Sequence, residues 1–299
     1  MIKWSKILSI LFISFIALFS LTFCYSKLKH IPLISGDNSE LSIYEVWHIE
    51  SFEGGSRNRL SYLKQIALDY EKEHSTQLFM IRQVQASDLE NLISQSRPAL
   101  VSFTEETAKI VLPYLAQLSK EYGVAGHILE SAEFNGKLMA IPYIASGYCY
   151  ILKQSAKDTT LYSGNNSCHT ATDFISTQVN NNSSLSSYEC YSKFVNSNDI
   201  QLLGTFRDVF RVKNLQNLGR FQANFTPFEQ ATDLIQYLGI TNNSKEIQDF
   251  LQFIMQDKYQ YNLRDLSLFS TKFFNLYTDE VYSKMENALK SIKIPNIFM

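Results

Sequence analysis

Ile43-Tyr44-Glu45-Val46-Trp47 alternates large and polar residues, Gly54-Gly55-Ser56 breaks the pattern, and Leu60, Leu63, Ala67 and Tyr70 then recur at helical spacing among Lys, Gln and Glu. The first run reads as a strand and residues 57 to 73 as an amphipathic helix. Gln77 to Val84, β-branched and aromatic, reads as a second strand. Ser87 to Ser94 reads as a short helix capped by Ser87 with Glu90 three residues on, and Ala99 to Phe103 as a third strand. Strand and helix therefore alternate as β-α-β-α-β. Helices that connect parallel strands cover both faces of the sheet, so the stretch predicts an α/β fold with a mostly parallel sheet. Its ligand crevice lies beyond the carboxyl ends of the strands.

Downstream, Phe134-Asn135-Gly136-Lys137 is a turn, and Leu138 to Leu152 is a long, nearly uncharged run with Pro142 near its start, as expected of a buried segment. Residues 155 to 187 are dominated by Ser, Thr and Asn, with Asn180-Asn181-Asn182-Ser183-Ser184 the extreme case, and read as a loop or linker. Ile200 to Leu203 and Val209 to Val212 are short strand candidates separated by Gly204-Thr205-Phe206-Arg207-Asp208, and Leu234 to Ile240 is another strand. Ile247, Phe250, Leu251, Ile254 and Met255 form an apolar stripe behind an Asn243-x-x-Glu246 capping box. Val281, Met285, Ala288 and Leu289 form a last helix ending before Pro295. No internal repeat is evident.

The chain has 299 residues, 27 Lys+Arg against 29 Asp+Glu, and 45% hydrophobic residues. At roughly 150 residues per domain it is long enough for two. A net charge of −2 without a concentrated basic face removes the main argument for nucleic acid as a partner. At the N-terminus, Lys3 and Lys6 precede Ile7 to Phe23, a run of 17 uncharged residues. That exceeds the cleaved-peptide core of roughly 7–15 and reaches the lower limit of roughly 17–25 for a spanning helix. The run reads as an export segment holding the chain to the membrane through residues 7–23, with the downstream part on the extracytoplasmic face. Two anchors fit it: an uncleaved helix, or lipid attachment at Cys24, although Phe23 stands where a lipobox has Gly, Ala or Ser. Cys149 sits in an apolar strand pattern and reads as a buried thiol; Cys168 and Cys190 bracket the polar stretch and are able to pair.

Four patches in chain order resemble the extracellular solute-binding proteins of ABC sugar importers, the maltodextrin-binding type. They are a first strand running into Trp47-His48 and Gly54-Gly55 ahead of a helix ending Asp69-Tyr70-Glu71-Lys72-Glu73; Phe134-Asn135-Gly136-Lys137 leading to Ala140-Ile141-Pro142-Tyr143; Leu203 to Arg211; and the strand-helix pair from Leu234 to Asp257. The resemblance implies a two-lobed, periplasmic-binding-protein-like α/β fold of type II. On it, residues 1–26 are the export segment, 27–40 a spacer, 41–145 with 223–262 lobe one, and 146–222 with 263–299 lobe two. Family members are longer, and what is missing lies between Leu152 and Tyr191, so the second lobe is expected to be reduced. The implied partners are a small carbohydrate-like ligand and the permease subunits of an importer; no cofactor and no chemistry are implied.

Sugar sites combine flat aromatic faces with paired polar groups. Trp47, His48, Tyr143, Arg207 and Asp208 fit those roles by position, as ligand-binding candidates. Each has a plainer reading. Trp47 also suits a core anchor, Tyr143 a packing ring between lobes, and Arg207 with Asp208 an ion pair satisfying its own neighbours. His48 lies near Glu50 and Glu53, but the spacing matches no common metal set or H-E-x-x-H helix, and Cys168-His169 lacks a third group. The sequence therefore favours a binding protein. Its rival is a descendant of that family whose cleft has lost its ligand and which serves as a structural or regulatory docking protein.

Overall fold

A computed structural model describes residues 41–49, 59–118, 122–154, 161–163, 179–181, 187–197, 200–272 and 274–299. The segment 1–40 with Cys24, the Gly54-Gly55 loop with Glu50 and Glu53, and Cys168 lie outside them. Strand β1 (Ser42–Ile49) is followed by helix α1 (Arg59–Glu73), whose buried stripe includes Leu60, Leu63, Ile66, Ala67 and Tyr70. Strand β2 (Gln77–Val84), helix α2 (Leu89–Gln95) and strand β3 (Leu100–Phe103) complete the alternation, and β1 pairs in parallel with both β2 and β3. Helix α3 (Glu105–Val111), the single-turn α4 (Gly126–Leu129) and a hairpin of β4 (Glu133–Phe134) and β5 (Lys137–Leu138) follow. Asn135 and Gly136 at its tip both take positive φ, 51° and 71°, the backbone that a two-residue hairpin needs to match strand twist.

The uncharged run from Leu138 to Leu152 splits into two strands in different sheets. β6 (Ile141–Ile144) joins the first and β7 (Tyr148–Lys153) the second. Then come β8 (Leu161–Ser163), β9 (Val179–Asn181), α5 (Ser187–Asn196), β10 (Gln201–Thr205), α6 (Phe206–Asn217) and β11 (Ala223–Pro227). The chain returns as β12 (Gln236–Ile240), α7 (Lys245–Ile254) and α8 (Asp257–Asn262), and α9 (Glu280–Leu289) is the last helix. The first sheet runs β2-β1-β3-β12-β6 and the second β11-β7-β10-β8-β9. Several sequence expectations change. The 155–187 stretch read as a loop holds β8 and β9, and Asp88 rather than Ser87 stands at the N-cap of α2, with no side-chain cap bond. Val209 to Val212 is helical, because Thr205 and Asp208 form a capping box that starts α6. The cap of α7 is Ser244, accepting from the Ile247 N–H, rather than Asn243. Residues 223–227 pair with β7 in the second sheet, so the return to the first sheet falls between Pro227 and Gln236.

Strand alternation sends Val46, Leu100 and Leu238 to one face of the first sheet, against α1 and α7, where Phe79 and Phe250 stack with ring centres 3.8 Å apart. Trp47, Val101, Phe103 and Tyr237 go to the other face, against α2 and α3. That second cluster does not stop at the first sheet: it runs on through Cys149, Ile151, Phe194, Phe206 and Val209 to Met285 and Leu289. α5, α6 and α9 therefore pack on one side of the second sheet. On its other side Tyr148, Leu161 and Leu203 meet Phe228 and Leu234, with no helix among the described residues.

Candidate functional site

The strand directions fix where the crevice lies. β12 is antiparallel to β3 and to β6, so β6 runs with β1 and β3 and ends on their carboxyl side. The chain leaves for the second sheet from that end, through Ala145-Ser146-Gly147, and comes back to it through Phe228 to Ile235. Both links between the sheets therefore lie at the carboxyl ends of the first, the place where open α/β sheets bind ligands. Three crossing segments bound this region and are tied together. Ala145 and Phe269 exchange backbone bonds of 2.8 and 3.2 Å, Thr232 Oγ1 donates to the Ser146 carbonyl at 3.0 Å, and Thr271 Oγ1 to that of Pro142 at 2.8 Å. Gly147 is required here, since a Cβ would stand 2.8 Å from the buried Phe206 ring.

A buried polar network forms the floor. Ser102 Oγ lies 2.9 Å from His48 Nδ1, 2.9 Å from Tyr143 Oη and 2.9 Å from Gln236 Nε2, which donates to it. A hydroxyl has one proton and two lone pairs, so Ser102 donates to one of His48 and Tyr143 and accepts from the other, and is saturated. Gln236 Oε1 in turn accepts from Arg59 Nη1 at 2.7 Å. Burial holds the His48 imidazole down at about 3, with the Arg59 charge pushing the same way, so the ring is neutral. Burial raises the Tyr143 phenol well above its ordinary range. Ser102 and His48 have the spacing of a nucleophile and its base, but both are closed from solvent and the remaining partners are a phenol and an amide. The pair joins strand ends.

All five sequence candidates are interior. Trp47 is fully buried among Ile49, Val84 and Val101, with the Arg82 guanidinium 5.8 Å from its ring centre and its indole N–H without a partner among the described residues. His48 and Tyr143 meet through Ser102. Arg207 is buried in the first turn of α6, and Asp208 serves as the reciprocal half of that helix's cap while pairing with Arg211 at 2.8 Å. Ser102, Gln236 and Arg59 were missed. The signal for the first two was a single polar residue inside an otherwise apolar strand. At the rim, half-buried Glu105 follows β3 and half-buried Asp233 precedes β12 and accepts from Tyr148 Oη at 3.0 Å. Burial pushes the Tyr237 phenol up, and the charges of Asp233 and Glu105 push the same way. Among the described residues no cluster of three or more His, Cys, Asp or Glu is placed to hold a metal.

No family model and no curated protein matches the sequence. Solved structures do match by fold. The GacH receptor of Streptomyces glaucescens GLA.O, solved unliganded and with acarbose, is 12% identical at a TM-score of 0.63, the match covering 86% of this chain and 89% of that one. A cyclo/maltodextrin-binding protein complexed with maltotetraose is 10% identical at 0.62, covering 88% and 89%. The maltose-maltodextrin binding protein of Alicyclobacillus acidocaldarius is 11% identical at 0.58, covering 85% and 90%. The chain thus has a two-lobed α/β fold of the periplasmic sugar-binding type.

Proposed function

From that fold as premise, we propose that the chain is a solute-binding protein that captures a sugar or similar small polar ligand outside the cell and delivers it to an ABC importer. The observation that carries this reading is the pair of sheets joined by three crossing segments at the carboxyl ends of the first, in a fold whose neighbours bind maltodextrins and acarbose. Half-buried Glu105 and Asp233 lie at its described rim, and two carboxylates suit the paired hydroxyls of a sugar better than an anion. Residues 7–23 tether the chain to the membrane, and the protein carries out no chemistry of its own. The ligand-free docking protein stays as the second reading because of one observation: Trp47, Tyr143 and Arg207, the sequence's choices for ligand contact, are spent on the interior.

The test is a thermal melt of the full-length chain against mono- and oligosaccharides, amino acids and metal ions. Free ligand at 100 times its Kd adds about 2.7 kcal/mol of stability. A shift with one sugar class, lost in Asp233→Asn, is the expected result. A cooperative melt that no compound moves sinks the transport reading in favour of the docking protein.

A further inference from the structure

The last ten residues connect parts that the topology otherwise keeps apart. α9 belongs to the second sheet's side: Tyr282 stacks on Phe210 of α6 at 4.0 Å between ring centres, and Lys213 of α6 pairs with Asp279 at the helix cap. Beyond α9 the chain does not stay there. Lys293 bridges to Ala231 in the second crossing segment, its carbonyl accepting from Thr232 N–H at 3.0 Å and its N–H donating to Gln230 at 3.3 Å. Three residues later it reaches the first sheet's side. Asn296 Nδ2 donates to the Glu133 carbonyl at 2.7 Å, Ile297 N–H to that of Ser131 at 3.0 Å, and the Phe298 ring settles 6.4 Å from Phe103 and 6.3 Å from Phe134. Ile292, Ile297 and Phe298 are all buried. A second tie joins the same two sides, with His127 Nε2 of α4 placed 2.9 Å from the Leu289 carbonyl.

We propose that residues 290–298 are a strap that sets the angle between the two sheets. A chain held at both ends and in the middle, with its apolar side chains sunk in a core shared by both sides, has no slack. Any rotation about the crossing segments changes the distance from α9 to β4 and must pull Phe298 from its pocket or Lys293 from its bridge. The resting angle of the crevice is therefore a property of the tail as well as of the hinge. This holds whether or not a ligand binds, so it is separable from the transport reading.

The experiment is a distance measurement by double electron–electron resonance. Spin labels are placed on exposed Lys64→Cys in α1 and Asn217→Cys in α6 of the full-length chain, with Cys24 and Cys168 changed to Ser. The parent should give one narrow distribution. A chain ending at Lys290 should give a distribution broadened and displaced by several ångströms, and Phe298→Ala and Asn296→Ala smaller changes in the same direction, with near-ultraviolet circular dichroism retained. Distributions identical to the parent in the folded point variants overturn the proposal, also where the melt drops, because the tail then contributes packing without setting the angle. Should the truncated chain fail to fold, the two point variants carry the test.

Discussion

His48 illustrates what one residue does when the chain closes over it. Its imidazole exchanges water for Ser102 and for the nearby Arg59 charge, and its folded pKa of about 3 lies below the roughly 6.5 of an unfolded histidine. Between those values the unfolded chain binds the proton and the folded one does not. The contribution is thus fully present above pH 6.5 and is lost as pH falls toward 3. Denaturant titrations from pH 7 down to pH 4 should show the wild type losing more stability than His48→Gln; parallel curves would mean that the ring titrates alike in the folded and unfolded states. Trp47 teaches the complementary lesson. An aromatic residue near the carboxyl end of a strand reads equally as platform or anchor, and only the arrival of α2 from 40 residues downstream makes it an anchor.

Among elements, α6 shows local sequence overriding a misleading composition. Val209, Phe210 and Val212 favour a strand, but Thr205 accepts the Asp208 N–H and Asp208 accepts the Thr205 N–H and hydroxyl, so two orphan donors at the helix start are satisfied at once. Arg211, one turn on, pairs with the same carboxylate. Asp208→Ala should cost about 1–2 kcal/mol in urea unfolding, toward the upper end of the capping range because the site is buried. Asp208→Asn, which keeps an acceptor oxygen, should cost less. Equal losses for the two would assign the effect to the ion pair with Arg211 alone. α7 was the easier element: five large apolar residues on one stripe force a helix whatever caps it, so the sequence placed the helix correctly and the cap one residue early.

For the whole molecule, one apolar cluster extends from Trp47 and Phe103 through Phe194 and Phe206 to Leu289 and Phe298, and so spans both sheets. Two sheets that share a core cannot lose one without exposing the other. Calorimetry of the chain should give a single endotherm whose calorimetric and van't Hoff enthalpies agree, whereas two resolved transitions would show separate cores. Periodicity alone determined the first three strands of the first sheet, because β-α-β-α-β is a local pattern in which each strand and helix declares itself within about ten residues. Tertiary structure decided the rest. Whether Tyr143 faces a ligand or closes a network with Ser102, His48 and Gln236 depends on three strands that are 41 to 134 residues apart in sequence. Whether the last ten residues end a helix or bind two sheets together depends on Ser131 and Glu133 lying where they can be reached. Hydrogen bonds and packing at that separation leave no period in the chain, because the partner of each group is chosen by the fold and not by its neighbours.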